Sequence, residues 1–259
     1  MKFSLPLILI VIGTLIVSCN QSQNPSASEN TGSKGLSPKV LFVLTSHSEL
    51  GDTGEETGFY LSEASHPWKE LTENGIQVDF VTIEGGMPPV DGFKLDDPVN
   101  KEFWESRDIQ QALENAPSPG KIDPDQYDAI HFVGGHGTMW DFPENKEIAD
   151  LAAVIYENGG YVTAVCHGPA ALVNIRLSDG NYLVDGKTLT SFTNAEEEAV
   201  ELTEVVPFLL QDALEQRGAE FVASENWSDN VQVSDRLITG QNPQSASSLG
   251  KELVKLLEK

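Results

Sequence analysis

Short apolar runs alternating with amphipathic helical stretches are the feature that most limits how this 259-residue chain can fold. Val40 to Leu44 reads as a buried strand and Gly58 to Asn74 as a helix carrying Glu63 and His66. Ile76 to Thr82 is a second strand, with Val78, Phe80 and Thr82 alternating with Gln77, Asp79 and Val81. Ala129 to Val133 follows as a third strand. Lys146 to Asn158 is a helix with Ile148, Leu151, Ala152 and Ile155 on one face, and Tyr161 to Val165 is a fourth strand. The series continues with a strand over Thr188 to Phe192, a helix over Glu204 to Arg217 ended by Gly218, and a late strand at Leu237 to Thr239. A final helix starts at Asn242-Pro243 and turns Leu249, Leu253 and Leu256 inward. Parallel strands need long crossovers, which the helices supply, so the pattern predicts an α/β fold: a doubly wound, largely parallel sheet sandwiched by helices. Sites in such sheets lie at the carboxyl ends of the strands.

The fourth strand runs into Ala164-Val165-Cys166-His167-Gly168-Pro169, where an apolar run stops at a cysteine and turns at once into a helix. A side chain at such a nucleophile elbow is pushed out of the sheet, and the first amides of the helix point at whatever the sulfur attacks. The same amides and the helix dipole favour thiolate over thiol. Gly168 is expected to leave the space beside the sulfur unobstructed. A lone cysteine is ordinarily a small buried hydrophobe, but the adjoining His167 and the turn glycine favour a reactive site here.

The other cysteine, Cys19, closes a targeting segment. Lys2 precedes an apolar run from Leu5 to Val17, broken by Pro6, Gly13 and Thr14 and shorter than a comfortable membrane span. Ile16-Val17-Ser18-Cys19 resembles the lipobox of bacterial lipoproteins, where cleavage precedes the cysteine and its thiol and new amino terminus are acylated. Residues 1–18 are therefore expected to be a lipoprotein signal peptide, and Cys19 the lipid anchor holding the protein in the bacterial cell envelope; an ordinary secretory signal or an uncleaved anchor is the alternative. Cys166 is then the only free thiol, so no intramolecular disulfide can form. Residues 19–38, rich in Gln, Ser, Asn, Gly and Pro, read as a flexible linker. Residues 39–259 suit one domain, in which the Pro-, Gly- and Asp-rich stretch 84–121 reads as a covering insertion rather than core. A formal charge of -24 argues against nucleic acid and against adhesion to anionic lipid, leaving the lipid anchor as the only membrane contact. A homodimer is left open.

Several other residues follow strands and should converge on Cys166. Gly135, in Gly134-Gly135-His136-Gly137, can present a bare amide which, with that of His167, would make a two-donor oxyanion hole. His136, Gly137, Trp140 and Phe142 are read as lining the pocket or its rim, although Trp140 suits plain packing as well. The run Glu196-Glu197-Glu198 supplies a carboxylate to orient His167, unless it is only a solvated helix start. Glu63 lies among Tyr60, Leu61 and Ala64, where a partly desolvated carboxyl would have a raised pKa and could hydrogen-bond the sulfur or carry a proton. His131 alternates with apolar neighbours and reads as structural. The histidines at 47, 66, 131, 136 and 167 show no spaced pair typical of zinc, so no metal is expected.

Six stretches in order resemble the DJ-1/PfpI superfamily, and within it the Hsp31-like proteins. They are Val40 to Ser46, Thr57-Gly58 leading to Glu63-Ala64-Ser65-His66-Pro67, Gly135 to Thr138, the run from Ala164 to Pro169, Phe192-Thr193 before the acidic triplet, and Thr239 to Pro243. The resemblance covers nearly the whole domain and implies a flavodoxin-like, Rossmann-like sheet with a nucleophile elbow. It makes Cys166 the nucleophile, His167 the adjacent base, Glu197 the triad acid and Glu63 the carboxyl beside the sulfur, with Glu196 or Glu198 taking the place of Glu197 after a one-residue slip. It implies a glutathione-independent glyoxalase that needs no cofactor and converts a small 2-oxoaldehyde such as methylglyoxal to a 2-hydroxy acid. Other readings stay open: an amidase or peptidase of the same superfamily, an envelope holdase chaperone, a thiol sensor or a deglycase. Amidotransferases on this scaffold draw their histidine from a His-x-Glu motif far along the chain after the cysteine, and no histidine follows His167 here.

Overall fold

The structure, a computed structural model, describes residues 1–4 and 37–259. The expected signal segment beyond its first residues, Cys19 and most of the linker lie outside the described residues. The chain divides into Met1–Leu36 and a folded unit, Ser37–Lys259. Among the described residues no helix is long and apolar enough to cross a membrane.

The folded unit opens with β1 (Lys39–Leu44), β2 (Phe59–Tyr60), α1 (Leu61–Glu73), β3 (Gln77–Thr82) and β4 (Val90–Asp91). It continues through α2 (Pro98–Glu105), α3 (Arg107–Glu114), β5 (Ala129–Phe132), α4 (Thr138–Asp141), α5 (Lys146–Glu157) and β6 (Tyr161–Val165). After a 3₁₀ segment at Gly168–Asn174 come β7 (Thr188–Leu189), α6 (Asn194–Ala199), α7 (Leu210–Gln216), β8 (Glu220–Phe221), β9 (Val231–Ser234), β10 (Leu237–Gly240) and α8 (Ala246–Leu257). Six strands form the central sheet in the order β3-β1-β5-β6-β10-β9, parallel except for β9, so the fold is the doubly wound α/β sheet expected. Strand pleating divides the core between its faces. Leu41, Val43, Ile130, Phe132, Val162 and Ala164 pack under α5, whereas Val40, Phe42, Val133, Val165 and Ile238 pack with Leu61, Ala64, Leu249 and Leu253 from α1 and α8.

Where elements differ from the sequence reading, a local contact explains it. The first helix starts at Leu61, not Gly58, because Phe59 and Tyr60 pair with Val90 and Asp91. Pro207 breaks the helix expected from Glu204, since a proline within it would lose a hydrogen bond and clash with the preceding turn. The strand expected over Thr188 to Phe192 stops at Leu189 and pairs only with β8. Beyond it the backbone turns to the elbow: Thr190 N–H donates to Thr239 Oγ1 at 2.9 Å and Phe192 N–H to the Cys166 carbonyl at 2.8 Å. The segment 84–121 holds α2 and α3, whose Phe103 and Leu113 are fully buried in the core cluster around Phe42 and Phe80.

One core detail places a candidate site residue. Pro67 sits inside α1 and has no N–H for the Glu63 carbonyl four residues earlier. His131 on β5 fills that role, with Nε2 3.3 Å from the Glu63 carbonyl and Nδ1 2.7 Å from Thr163 Oγ1. A carbonyl only accepts, so Nε2 carries the proton and Thr163 donates to Nδ1. Burial lowers the pKa of His131 to about 4, and it is neutral at pH 7. This histidine is a structural strut fixing the turn of α1 that bears Glu63.

Candidate active site

Cys166 leaves β6 at φ 58°, a left-handed conformation costly for any residue with a Cβ. It is held there from both sides: its N–H donates to the Gly240 carbonyl at 2.9 Å and its carbonyl accepts from Phe192. The elbow sits close on β5. A Cβ on Gly168 would lie 2.2 Å from the Phe132 carbonyl oxygen, so this glycine serves close packing on the sheet, not open space beside the sulfur as expected. The 3₁₀ segment that follows replaces the α-helix expected after the cysteine.

His167 is fully buried beside the sulfur, with Nδ1 3.4 Å from Cys166 Sγ and Nε2 2.8 Å from Glu197 Oε2. An ionised carboxylate can only accept, so Nε2 carries the proton and the Nδ1 lone pair faces the sulfur. Burial alone would raise the Glu197 carboxyl, but hydrogen bonds from two imidazoles, His136 and His167, outweigh it and hold it at about 2. The second bond is from His136 Nε2 to Oε1 at 3.1 Å, so His136 is a partner of the acid rather than only a pocket wall. Burial and the neighbouring His136 lower the pKa of His167 to about 4 despite that carboxylate. At neutral pH the imidazole is therefore uncharged and free to accept the thiol proton.

The acidic triplet divides by role. Glu196 is fully buried and closes a capping box on α6, its Oε2 accepting from the Thr193 N–H and hydroxyl. Its Oε1 accepts from the Trp227 N–H at 2.9 Å and Asn242 Nδ2 at 2.8 Å, leaving nothing for His167. Glu198 is exposed. Only Glu197 reaches the imidazole. The capping pattern Thr193-x-x-Glu196 is visible in the sequence and would have separated these neighbours in advance.

Glu63 is completely buried, and neither carboxyl oxygen has a hydrogen-bond partner of good geometry among the described residues. Its carboxyl lies under Gly134, where a Cβ would be 2.3 Å from Oε2 and 3.0 Å from the Cys166 Cβ. Desolvation pushes its pKa well above the usual carboxylate range, only partly offset by the Cys166 side chain and the Gly134 amide. Glu63 is thus an acid that holds its proton more tightly than an exposed carboxyl does, placed against the Cys166 sulfur.

The cysteine corrects one expectation. Burial raises its thiol pKa, the Glu63 and Glu196 carboxyls add to this, and the His167 amide only partly opposes them. The helix-terminus argument for a resting thiolate fails because Cys166 is only 4% exposed and the short 3₁₀ turn offers few aligned amides. The resting group is a thiol, and ionisation must accompany attack.

Gly135 has φ 107°, and a Cβ there would lie 2.3 Å from the Gly58 carbonyl oxygen, so its form is set by packing on the segment before α1. Among the described residues neither its N–H nor that of His167 donates to a backbone carbonyl, and the His167 amide is directed at the Cys166 sulfur. Thr138, given no role of its own in the sequence analysis, ties the two turns together: its hydroxyl lies 2.9 Å from the Gly135 carbonyl and 3.0 Å from that of His167. Gly137 packs on the loop after β1, its Cβ position 2.7 Å from the His47 carbonyl oxygen. Trp140 is half-buried and stacks on His47 with centroids 5.0 Å apart. Phe142, expected at the rim, is instead 1% exposed and packs on Phe132 in the core. A cavity of about 430 Å³ lies beside Tyr60, between His66, Asn100 and Gln244. The ligand atoms of His136, His167 and Glu197 all lie within 4.8 Å of one another, compact enough for a metal ion. Both Nε2 atoms, however, point their protons at the carboxylate, an arrangement that hydrogen bonding already satisfies.

The chain matches known proteins along most of its length. Residues 55–256 match the model of the DJ-1/PfpI family. Glyoxalase 3 of Candida albicans is 32% identical over 232 residues, covering 85% of this chain and 98% of that protein. The glutathione-independent glyoxalase HSP31 of Saccharomyces cerevisiae is 32% identical over 222 residues, covering 81% and 94%. Among solved structures, the Rapid Encystment Protein 24 KDa of Francisella tularensis superposes with a TM-score of 0.82 at 39% identity, covering 85% of this chain and 99% of that one. With the elbow, the sheet order and these matches in agreement, the chain belongs to the DJ-1/PfpI family.

Proposed function

We propose that this protein is a glutathione-independent glyoxalase that converts a 2-oxoaldehyde such as methylglyoxal to the 2-hydroxy acid. The observation that carries this reading is a buried thiol between two proton carriers of opposite preference: neutral His167 backed by ionised Glu197, and protonated Glu63. The names of the two fungal relatives support it.

The chemistry follows from those protonation states. As Sγ adds to the aldehyde carbon, the thiol proton passes to His167 Nδ1, and Glu197 stabilises the imidazolium. The Gly135 and His167 amides face the developing oxyanion, and Glu63 gives it a proton to complete the hemithioacetal. Glu63, now a carboxylate in an apolar pocket, is a strong base suited to remove the former aldehyde hydrogen. The resulting enediol takes a proton at the neighbouring carbon and becomes a lactoyl thioester. Water hydrolyses the thioester, so methylglyoxal and one water give lactate and the free thiol. Every step uses a proton carrier already beside the sulfur.

The direct test is to incubate the folded domain with methylglyoxal in glutathione-free buffer and follow lactate by an enzyme-linked assay. Stoichiometric lactate is expected; aldehyde loss without lactate would sink the isomerisation. Envelope attachment through acylated Cys19 is part of the proposal and rests on the Ile16 to Cys19 run. Cys19→Ser is expected to shift the protein from the membrane to the soluble fraction of a bacterial host, and retention of the variant in the membrane would overturn it.

A further inference from the structure

The exposed Trp227 stands in a backbone conformation that a bulky side chain avoids, at φ 64°. It is 41% exposed, so core packing does not keep it there. What holds it is a set of ties from the loop to the base of the site. Trp227 N–H donates to Glu196 Oε1 at 2.9 Å, Ser224 N–H to Gln241 Oε1 at 2.8 Å, Asn226 Nδ2 to the Ala195 carbonyl at 3.2 Å, and Asn242 Nδ2 to the Ser228 carbonyl at 2.9 Å. The loop thus hangs on the residue next to Glu197. Strain this well braced, on a residue half in water, points to a ligand more than to stability.

The ring position says which ligand. Trp227 packs against Phe192 with centroids 5.7 Å apart and planes tilted by 56°, and Phe192 packs against His167 at 4.4 Å with a tilt of 35°. Phe192 is only 4% exposed, so the indole is the outermost member of an aromatic ladder that ends on the imidazole facing Cys166.

We propose that Trp227 is a specificity-determining residue that selects 2-oxoaldehydes carrying an aryl or other flat apolar group on the ketone carbon. This rests on the glyoxalase reading and names its substrate class. The reaction balances as for methylglyoxal: an arylglyoxal and water give the aryl 2-hydroxy acid, with the aldehyde hydrogen replaced by a proton on the neighbouring carbon and the water oxygen ending in the carboxylate. Stacking on the indole strengthens binding of the aryl group without entering the proton transfers.

The test compares phenylglyoxal with methylglyoxal in the parent protein, Trp227→Ala, Trp227→Phe and Trp227→Gly. Trp227→Ala is expected to lower the kcat/KM ratio of phenylglyoxal over methylglyoxal about tenfold, with the loss in the KM for phenylglyoxal, and Trp227→Phe to restore most of it. Trp227→Gly relieves the left-handed backbone yet should lose the preference as alanine does, which separates the ring from the fold of the loop. An equal fall for both aldehydes, or no fall, overturns the inference. Mandelate binding in a Cys166→Ala background gives a second arm independent of turnover. There Trp227→Ala should weaken mandelate about tenfold; unchanged affinity, or no binding by the parent background, also overturns it. If the parent turns over neither aldehyde while Trp227→Ala still weakens mandelate, the glyoxalase reading falls and the aryl site stands.

Discussion

Cys166→Ala is expected to lower lactate formation from methylglyoxal by at least about 10³-fold, because no other group near the aldehyde can form the thioester through which the oxidation level moves between carbons. His167, Glu197, Glu63 and both amides would remain, so any residual rate measures polarisation and proton transfer without covalent attachment. The fold should survive. The alanine inherits the left-handed φ already imposed on the cysteine, and circular dichroism against denaturant should show little change. A variant retaining lactate formation within tenfold of the parent would remove the sulfur from the reaction.

Glu63→Gln is expected to lower kcat by about 10² to 10³, since the amide keeps the shape of the carboxyl but can neither give up its proton nor return as a base. Its effect on stability should run the other way. The Glu63 pKa is raised in the native state, so between the unfolded value near 4.5 and the native value the folded protein binds more protons than the unfolded chain. Stability then falls as pH rises through that window, and the loss is absent below it. Glutamine does not titrate. The stability of the variant relative to the parent should therefore grow as pH is raised from about 4.5, measured as urea midpoints over a pH series. A difference independent of pH would mean that Glu63 is an ordinary ionised carboxylate in the folded protein, and the proton-donor role would go with it. Sites built for catalysis often carry such a conflict with stability.

In the proposed reaction, the burial of Cys166 and the elevation of its pKa change how the sulfur works. A preformed thiolate would be open to oxidation and would need no partner, whereas a thiol between Nδ1 of His167 and the acid of Glu63 ionises only as it attacks. His136 and His167 both donate to Glu197, leaving that carboxylate ionised well below neutral pH and fixing the tautomer of the base.

Much of this site was legible in the chain because its parts are local. The Cys166 turn and its adjacent histidine are neighbours in sequence, and Glu63 betrays itself by apolar company within one helical turn. Other parts were misread for lack of distant contacts. Phe142 follows the glycine turn closely enough to suggest a rim, yet it packs on Phe132. The hairpin of β9 and β10 was not foreseen in full, because its turn uses Asp235 at φ 58° where a glycine or asparagine would have announced it.

Sequence alone determined the alternating strand and helix order, hence the parallel sheet, and the elbow that puts Cys166 at its carboxyl edge, because apolar period and turn chemistry act over a few residues. Only the tertiary structure decided which glutamate meets His167, that His136 shares it, and that the sulfur rests as a buried thiol. Those outcomes depend on side chains 30, 61 and 103 positions apart being pressed into one water-poor space, where burial and close partners set each proton.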